Sequence, residues 1–194
     1  MDNNEYFDTN DKSSTRRKLF TAVISLAMVV LLAFLTASLI KTYVTETFTV
    51  DGSSMNYTLS GGVLGNYEDG DRVVVNHYGK IKRGCIVVLR IEGHANALVK
   101  RVIGMAGDRI KIISGVLYVN DVIQDEDYVA PENKNIVNPS SNMEEITVSQ
   151  DCVFVMGDNR NGSSDSRDFG EVPTSQIAGK VFMILLENDG FKFI

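Results

Sequence analysis

Between Leu19 and Ile40 the chain carries no charged residue, and only Thr21, Ser25, Thr36 and Ser38 in that run are not apolar. Wound as a helix, the run is about 33 Å long, which matches a hydrocarbon core of roughly 30 Å. A helix buried in a soluble core needs one apolar stripe, whereas here apolar residues cover every face. The run therefore reads as a membrane span. A cleavable targeting segment fits less well, because its apolar part is roughly 7 to 15 residues long and no clear small-x-small site follows here.

Arg16, Arg17 and Lys18 abut the span on one side and Lys41 alone on the other. The positive-inside bias predicts a cytoplasmic N-terminus, with residues 42–194 beyond the cytoplasmic face. The division that follows is a flexible cytoplasmic tail over 1–18, an anchor over 19–40 and an extracytoplasmic domain over 41–194. The 194 residues include 19 Lys+Arg against 25 Asp+Glu, a net charge of −6, which argues against a nucleic-acid-binding face. Hydrophobic residues make up 44 %, too many for a disordered chain.

After the anchor, β-rich runs follow one another: Tyr43 to Val50, Arg72 to Asn76, Ile86 to Ile91, Leu98 to Ile103, Arg109 to Ile113, Val116 to Val119 and Val153 to Met156. Gly, Asn and Asp clusters separate them, as in an antiparallel all-β domain. A hairpin is expected to turn at Asn120-Asp121. Residues Asp125 to Asn142, rich in acids, Asn and Ser with Pro131 and Pro139, read as a long loop inside the domain. The predicted fold class is mostly β: an antiparallel β-rich domain behind a single N-terminal transmembrane helix. Cys85 and Cys152 allow one disulfide, but each sits in a strand-like run and is more simply a small buried apolar residue. No Cys/His cluster suggests zinc, and His77 and His94 are far apart in sequence.

Three clusters carry chemistry. In Val50-Asp51-Gly52-Ser53-Ser54-Met55-Asn56-Tyr57-Thr58-Leu59, Gly52 permits a bend that presents the Ser54 hydroxyl, although Gly-Ser-Ser is also an ordinary turn. In Leu98-Val99-Lys100-Arg101-Val102-Ile103, strand alternation puts Lys100 on a face with Leu98 and Val102, and Arg101 with Val99 and Ile103. A lysine buried among aliphatic side chains loses hydration of its charged form, and its pKa falls toward that of a general base. On the local pattern alone, an edge strand with both cationic heads in water is the simpler reading. The third cluster, Gly157 to Gly170, is polar and glycine-punctuated, and its acids do not follow EF-hand spacing.

In order and content the clusters resemble bacterial type I signal peptidases: an anchor, Gly-x-Ser-Met-x-x-Thr-Leu, Lys-Arg-Val-Ile-Gly, then Gly-Asp-Asn-Arg-x-x-Ser-x-Asp-Ser-Arg. The single span resembles the Gram-positive form. The resemblance implies a serine endopeptidase with Ser54 as nucleophile and Lys100 as general base, and no metal or organic cofactor. It further implies that Ser163 hydrogen-bonds the lysine amine, and that Asp158 pairs with Arg101 and Asp165 with Arg167 to brace the site. Where family members use a hydroxyl for the oxyanion this chain has Gly52, so the Ser54 N–H is expected to do most of that work. The implied partners are the lipid bilayer and exported preproteins with small residues at −1 and −3, and Met55, Tyr57 and Leu59 are expected to touch lipid.

The chain departs from the family pattern at Tyr57, where proline is usual, at Cys85, where Gly-Asp is usual, and at Ala106, again a proline position. None of these removes a reacting group. Two other readings compete: a non-catalytic or catalytically restricted membrane-anchored assembly factor of the same fold, and a self-cleaving Ser/Lys regulator. The first would be favoured by loss of Ser54 or Lys100, and the second needs a DNA-binding helical domain where this chain has an anchor.

Overall fold

The computed structural model describes residues 8–63, 66–93, 96–129, 142–185 and 190–194. It divides into two units, Met1–Val44 and Thr45–Ile194. In the first, helix α1 (Asp8–Tyr43) contains a stretch, Thr15–Tyr43, long and apolar enough to cross a membrane. Three of the four hydroxyls of the apolar run are satisfied inside the helix: Thr21 Oγ1 donates to Lys18 O at 2.9 Å, Ser25 Oγ to Thr21 O at 2.8 Å and Thr36 Oγ1 to Ala33 O at 2.9 Å. Internal satisfaction is what a segment in hydrocarbon requires. The helix begins at Asp8, so part of the segment expected as a flexible tail is helical. Once the apolar run has nucleated the helix, each further residue costs little to add.

The second unit is built on an eight-stranded antiparallel sheet. Its path runs β1 (Thr45–Thr49), β4 (Arg72–Asn76), β13 (Ile177–Leu185), β5 (Ile86–Leu89), β6 (Leu98–Met105), β11 (Cys152–Met156) and β12 (Val172–Pro173), with β14 (Phe191–Phe193) also on β13. A four-stranded sheet has the order β10 (Met143–Thr147), β7 (Arg109–Ile113), β8 (Val116–Val119) and β9 (Val122–Ile123). A small ribbon pairs β2 (Gly61–Val63) with β3 (Asn66–Gly70). The β8–β9 hairpin turns at Asn120 and Asp121, whose φ values of 54° and 65° are those of a type I′ turn. The expected first strand is shorter, because α1 runs on to Tyr43. Of the expected Asp125–Asn142 loop, residues 130–141 lie outside the described residues, as does His94.

Every residue of β5 is buried. Ile86 and Val88 join Met55, Leu59, Val73, Val99 and Val181 on one side, while Val87 and Leu89 join Val102, Val153 and Val155 on the other. The sheet is thus dry on both faces where β5 meets β6. A third cluster, including Ile103, Phe154, Ile110 and Leu117, attaches the four-stranded sheet. Cys85 packs against the Val87 cluster and Cys152 against the Phe154 cluster, and both thiols are free and half-buried. The disulfide alternative therefore fails, since the two side chains belong to separate parts of the core.

Two departures from the family pattern differ in backbone terms. At Met105–Asp108 the Asp108 N–H donates to Met105 O at 2.9 Å, and Gly107 has φ 86°, a type II turn with Ala106 at the position that favours proline. Tyr57 has φ 88°, which a proline ring locked near −65° cannot adopt. Ala106→Pro is expected to stabilise the protein by about 0.4–1 kcal/mol, whereas Tyr57→Pro costs more than about 1 kcal/mol. Urea unfolding of both variants checks the opposite signs.

Candidate active site

Strand β6 carries Lys100 opposite Val87 and Arg101 opposite Ile86. Because Val87 clusters with Val102 and Leu98, the Lys100 side chain leaves the strand on an aliphatic face. Lys100 is 2 % exposed, and its Nζ lies 2.7 Å from Ser54 Oγ. Burial strips hydration from the ammonium and is the largest influence on the amine. The Asp165 carboxylate opposes it, Arg167 reinforces it and Asp158 opposes it, and the result is a fall from 10.5 to about 8.

Ser54 sits in a compact turn. Asn56 N–H donates to Ser53 O at 3.0 Å and Leu59 N–H to Met55 O at 2.8 Å. Gly52, at φ 78°, supplies the bend that leads into it, and Gly61 packs so close that a Cβ there would lie 1.7 Å from Gly52 O. The Met55–Leu59 bond is one helical turn, so the two side chains point the same way, and they point into the core at 0 % and 1 % exposure. The expectation that Met55 and Leu59 face lipid is therefore corrected, while Tyr57 is 64 % exposed.

Two bidentate ion pairs stand around the amine. Asp158, 1 % exposed, accepts from Arg101 Nε at 2.8 Å and Nη2 at 2.6 Å, and from Thr58 Oγ1 at 2.5 Å. Asp165, fully buried, accepts from Arg167 Nε at 2.8 Å and Nη2 at 2.9 Å and from Gly157 N–H at 2.9 Å. Burial pushes the Asp165 carboxyl up, but the Arg167 guanidinium and the Gly157 N–H outweigh it and hold the group below its usual range. Asp165 also caps the short helix α2 (Ser166–Phe169), with Asp168 returning the bond to the Asp165 N–H at 3.1 Å.

Ser163 lies beside the dyad, but the bond to Lys100 that the resemblance implies is not formed. Its buried Oγ makes no well-formed hydrogen bond among the described residues, although the hydroxyl is near enough to Asp165 to favour the ionised carboxylate. The hydrogen bond of the Lys100 amine goes to Ser54 instead. Gly157 is what lets these groups meet, because a Cβ there would lie 2.3 Å from Ser163 Oγ and 2.5 Å from Ser54 O. Asn159 ties the two loops together, its N–H donating to Ser54 O and its Nδ2 to Ser53 O, both at 3.0 Å.

Gly157, Asn159 and Thr58 lie within motifs visible in the sequence, yet spacing alone does not assign them these contacts. Glu126 and Tyr128 carry no sequence signal of a role in the site, and Arg160 stands in the Gly-Asp-Asn-Arg motif without the motif assigning it a contact. The Arg101 guanidinium lies over the Tyr128 ring at 4.0 Å, the Tyr128 hydroxyl donates to Glu126 Oε1 at 3.0 Å, and Glu126 pairs with Arg160. Nothing in an acid-rich stretch that reads as a loop marks a ring laid over an arginine. Among the described residues no group of three or more His, Cys, Asp or Glu side chains is disposed to hold a metal ion.

A hydroxyl within hydrogen-bond reach of a buried amine of low pKa can be deprotonated to attack an acyl carbon. The family model described as signal peptidase, peptidase S26, matches residues 23–186. Signal peptidase I of Bacillus caldolyticus is 38 % identical over 73 % of this chain and 80 % of its own length. The Bacillus amyloliquefaciens signal peptidase I is 34 % identical over 88 % of this chain and 90 % of its own. Signal peptidase IB of Staphylococcus aureus (strain MRSA252) is 32 % identical over 92 % and 95 %, respectively. The chain belongs to the signal peptidase family, peptidase S26, and is a serine peptidase.

Proposed function

We propose that the chain is a membrane-anchored endopeptidase that removes signal peptides from exported preproteins with a Ser54/Lys100 dyad. The observation that carries this reading is the 2.7 Å contact between Lys100 Nζ and Ser54 Oγ in a site where the amine is 2 % exposed. Neutral Lys100 accepts the Ser54 proton as Oγ attacks the scissile carbonyl. The protonated amine then donates to the departing nitrogen, leaving an acyl-enzyme. Lys100, neutral again, takes a proton from the water that attacks the ester, and Ser54 leaves with that proton.

The oxyanion is held by the Ser54 N–H, which has no acceptor among the described residues. Asp158 with Arg101, and Asp165 with Arg167, brace the lysine, Gly52 shapes the nucleophile turn, and Ser163 stands beside the dyad as a further polar neighbour.

Substrate binding by strand addition is supported by the edge of β6. That strand pairs with β5 from Leu98 to Arg101, but with β11 only from Arg101 onward. The Val102 N–H and C=O bond toward Cys85 and Gly84 on the β5 side. By the two-residue alternation those of Val99 face the other way, where an extended preprotein segment would pair, its small −1 and −3 side chains entering the site. The anchor over 19–40 keeps the 41–194 domain at the extracytoplasmic membrane face, with the Arg16, Arg17 and Lys18 flank in the cytoplasm.

In detergent, the full-length chain is expected to cut a preprotein bearing an Ala-x-Ala site, and Ser54→Ala and Lys100→Ala are expected to lose that cleavage. Activity surviving in Ser54→Ala overturns the dyad. Wild-type kcat/KM is expected to rise about tenfold from pH 7 to pH 9, half-maximal near 8, as the amine loses its proton. A flat profile overturns the assignment of Lys100.

The same burial sets a stability cost. The folded lysine titrates near 8 and the unfolded one near 10.5, so the wild type gains stability as pH rises through that window. Lys100→Met is expected to be inactive and yet more stable at pH 7, by up to about 3 kcal/mol. The gap between variant and wild type should close as pH approaches 10.5, which thermal unfolding across pH checks.

A further inference from the structure

Tyr128 belongs to no motif of the dyad, yet it sits against the arginine next to the reactive lysine. Its segment follows β9: Gln124 N–H donates to Leu117 O at 3.0 Å, Val129 N–H closes a turn on Glu126 O at 3.1 Å, and the Val129 side chain is buried. The turn lays the Tyr128 ring over the Arg101 guanidinium, 4.0 Å from its carbon to the ring centroid. The ring is held by its hydroxyl on Glu126, and Glu126 is held by a bidentate pair with Arg160. Arg160 O accepts from Arg167 Nη2 at 2.8 Å, and Arg167 grips Asp165. A continuous set of contacts thus runs from Arg101, through the Tyr128 segment, to the Asp165–Arg167 ion pair.

We propose that Tyr128 is a positioning residue that sets the working pH of the enzyme by holding Arg101 on Asp158 and closing that pair to water. The inference rests on Lys100 being the general base. The charged groups acting on the Lys100 amine are Asp165, Arg167 and Asp158, and the groups facing Arg101 are Asp158, Tyr128 and Asp127. Those facing Tyr128 are Glu126, Arg160 and Arg101. Asp158 favours the charged amine, and Arg101 is held on that carboxylate by two hydrogen bonds, its positive charge set against the Asp158 charge. The Arg101 side chain is only 11 % exposed with the ring in place. Cation–π contact is strongest where water is excluded, and a planar guanidinium capped by a ring keeps its fork on the carboxylate. Without the ring, water competes for Arg101, more of the Asp158 charge reaches Lys100, and the amine keeps its proton to higher pH.

The test is the pH dependence of preprotein cleavage by full-length wild type, Tyr128→Leu and Tyr128→Phe in detergent, with folded protein counted by circular dichroism. Tyr128→Leu fills most of the space without a π face. Its half-maximal pH is expected to move up by about 0.5 unit or more, with kcat at pH 7 falling about threefold or more and KM within about twofold. Tyr128→Phe, which keeps the ring over Arg101, is expected to bring the midpoint back toward that of wild type. A loss that is purely structural would lower kcat equally at every pH and leave the midpoint in place, and that result overturns the inference. Should Tyr128→Leu fold poorly, Tyr128→Met carries the same expectation. An unmoved midpoint in a wild type that titrates near 8 rejects the role of Tyr128 alone, whereas a flat wild-type profile rejects the lysine base itself.

Discussion

An amine removed from water is the interaction on which this structure turns. Lysine is a poor base at neutral pH because its ordinary pKa leaves almost none of it unprotonated, and the remedy is to make the charged form costly. Burial does that only if the strand carrying the lysine is covered on both faces. Here β5 is buried at every residue, β6 lies beside it, and separate apolar clusters close the two sides. The carboxylates near the amine would undo the effect if they were bare. Each instead has its own arginine in a bidentate pair that fixes its position, and Arg167 opposes the pull of the carboxylates on the amine.

Much of this arrangement is legible in the sequence, for particular reasons. The anchor is visible because apolar residues cover every face of Leu19–Ile40, a pattern that a helix packed into a soluble core has no need of. Alternation groups Lys100 with Leu98 and Val102, and the Val87–Leu98–Val102 cluster lies on that face, but the edge strand with its cations in water that the local pattern favours is not what forms: β6 lies between β5 and β11 and Lys100 is buried. The Asn120-Asp121 hairpin follows from turn chemistry, since both residues tolerate positive φ.

What escapes such a reading is set by tertiary contacts. The longest strand, β13, is hidden because Ala178-Gly179-Lys180 interrupts its β-forming signal. The strand also bends: Ile177 to Lys180 pair with β5, while Lys180 to Leu185 pair with β4, with register shifts in both ladders. A strand shared between two partners in this way has no single alternation to detect. The fates of Met55 and Leu59 are hidden too, because two apolar residues beside an active serine look the same in sequence whether they face lipid or core. A single backbone bond, Leu59 N–H to Met55 O, decides the matter by aligning them inward.

Tyr57 shows how the charged loop does more than tune the lysine. A bulky residue at φ 88° is strained, of order 1–3 kcal/mol, and persists only where its surroundings over-determine the backbone. Those surroundings are polar. Asn159 holds the carbonyls of Ser53 and Ser54, Thr58 is bonded to Asp158, and the loop supplying both partners is fixed by Asp165 on Gly157 and Arg167. The bond from Thr58 meets the carboxylate that also grips Arg101, the neighbour of Lys100 in β6. The turn that presents the nucleophile and the strand that presents the base therefore share one anchoring group. A change that loosens Asp158 must disturb the position of Ser54 and the charge felt by Lys100 together, which is why the two halves of the dyad cannot be adjusted independently in this fold.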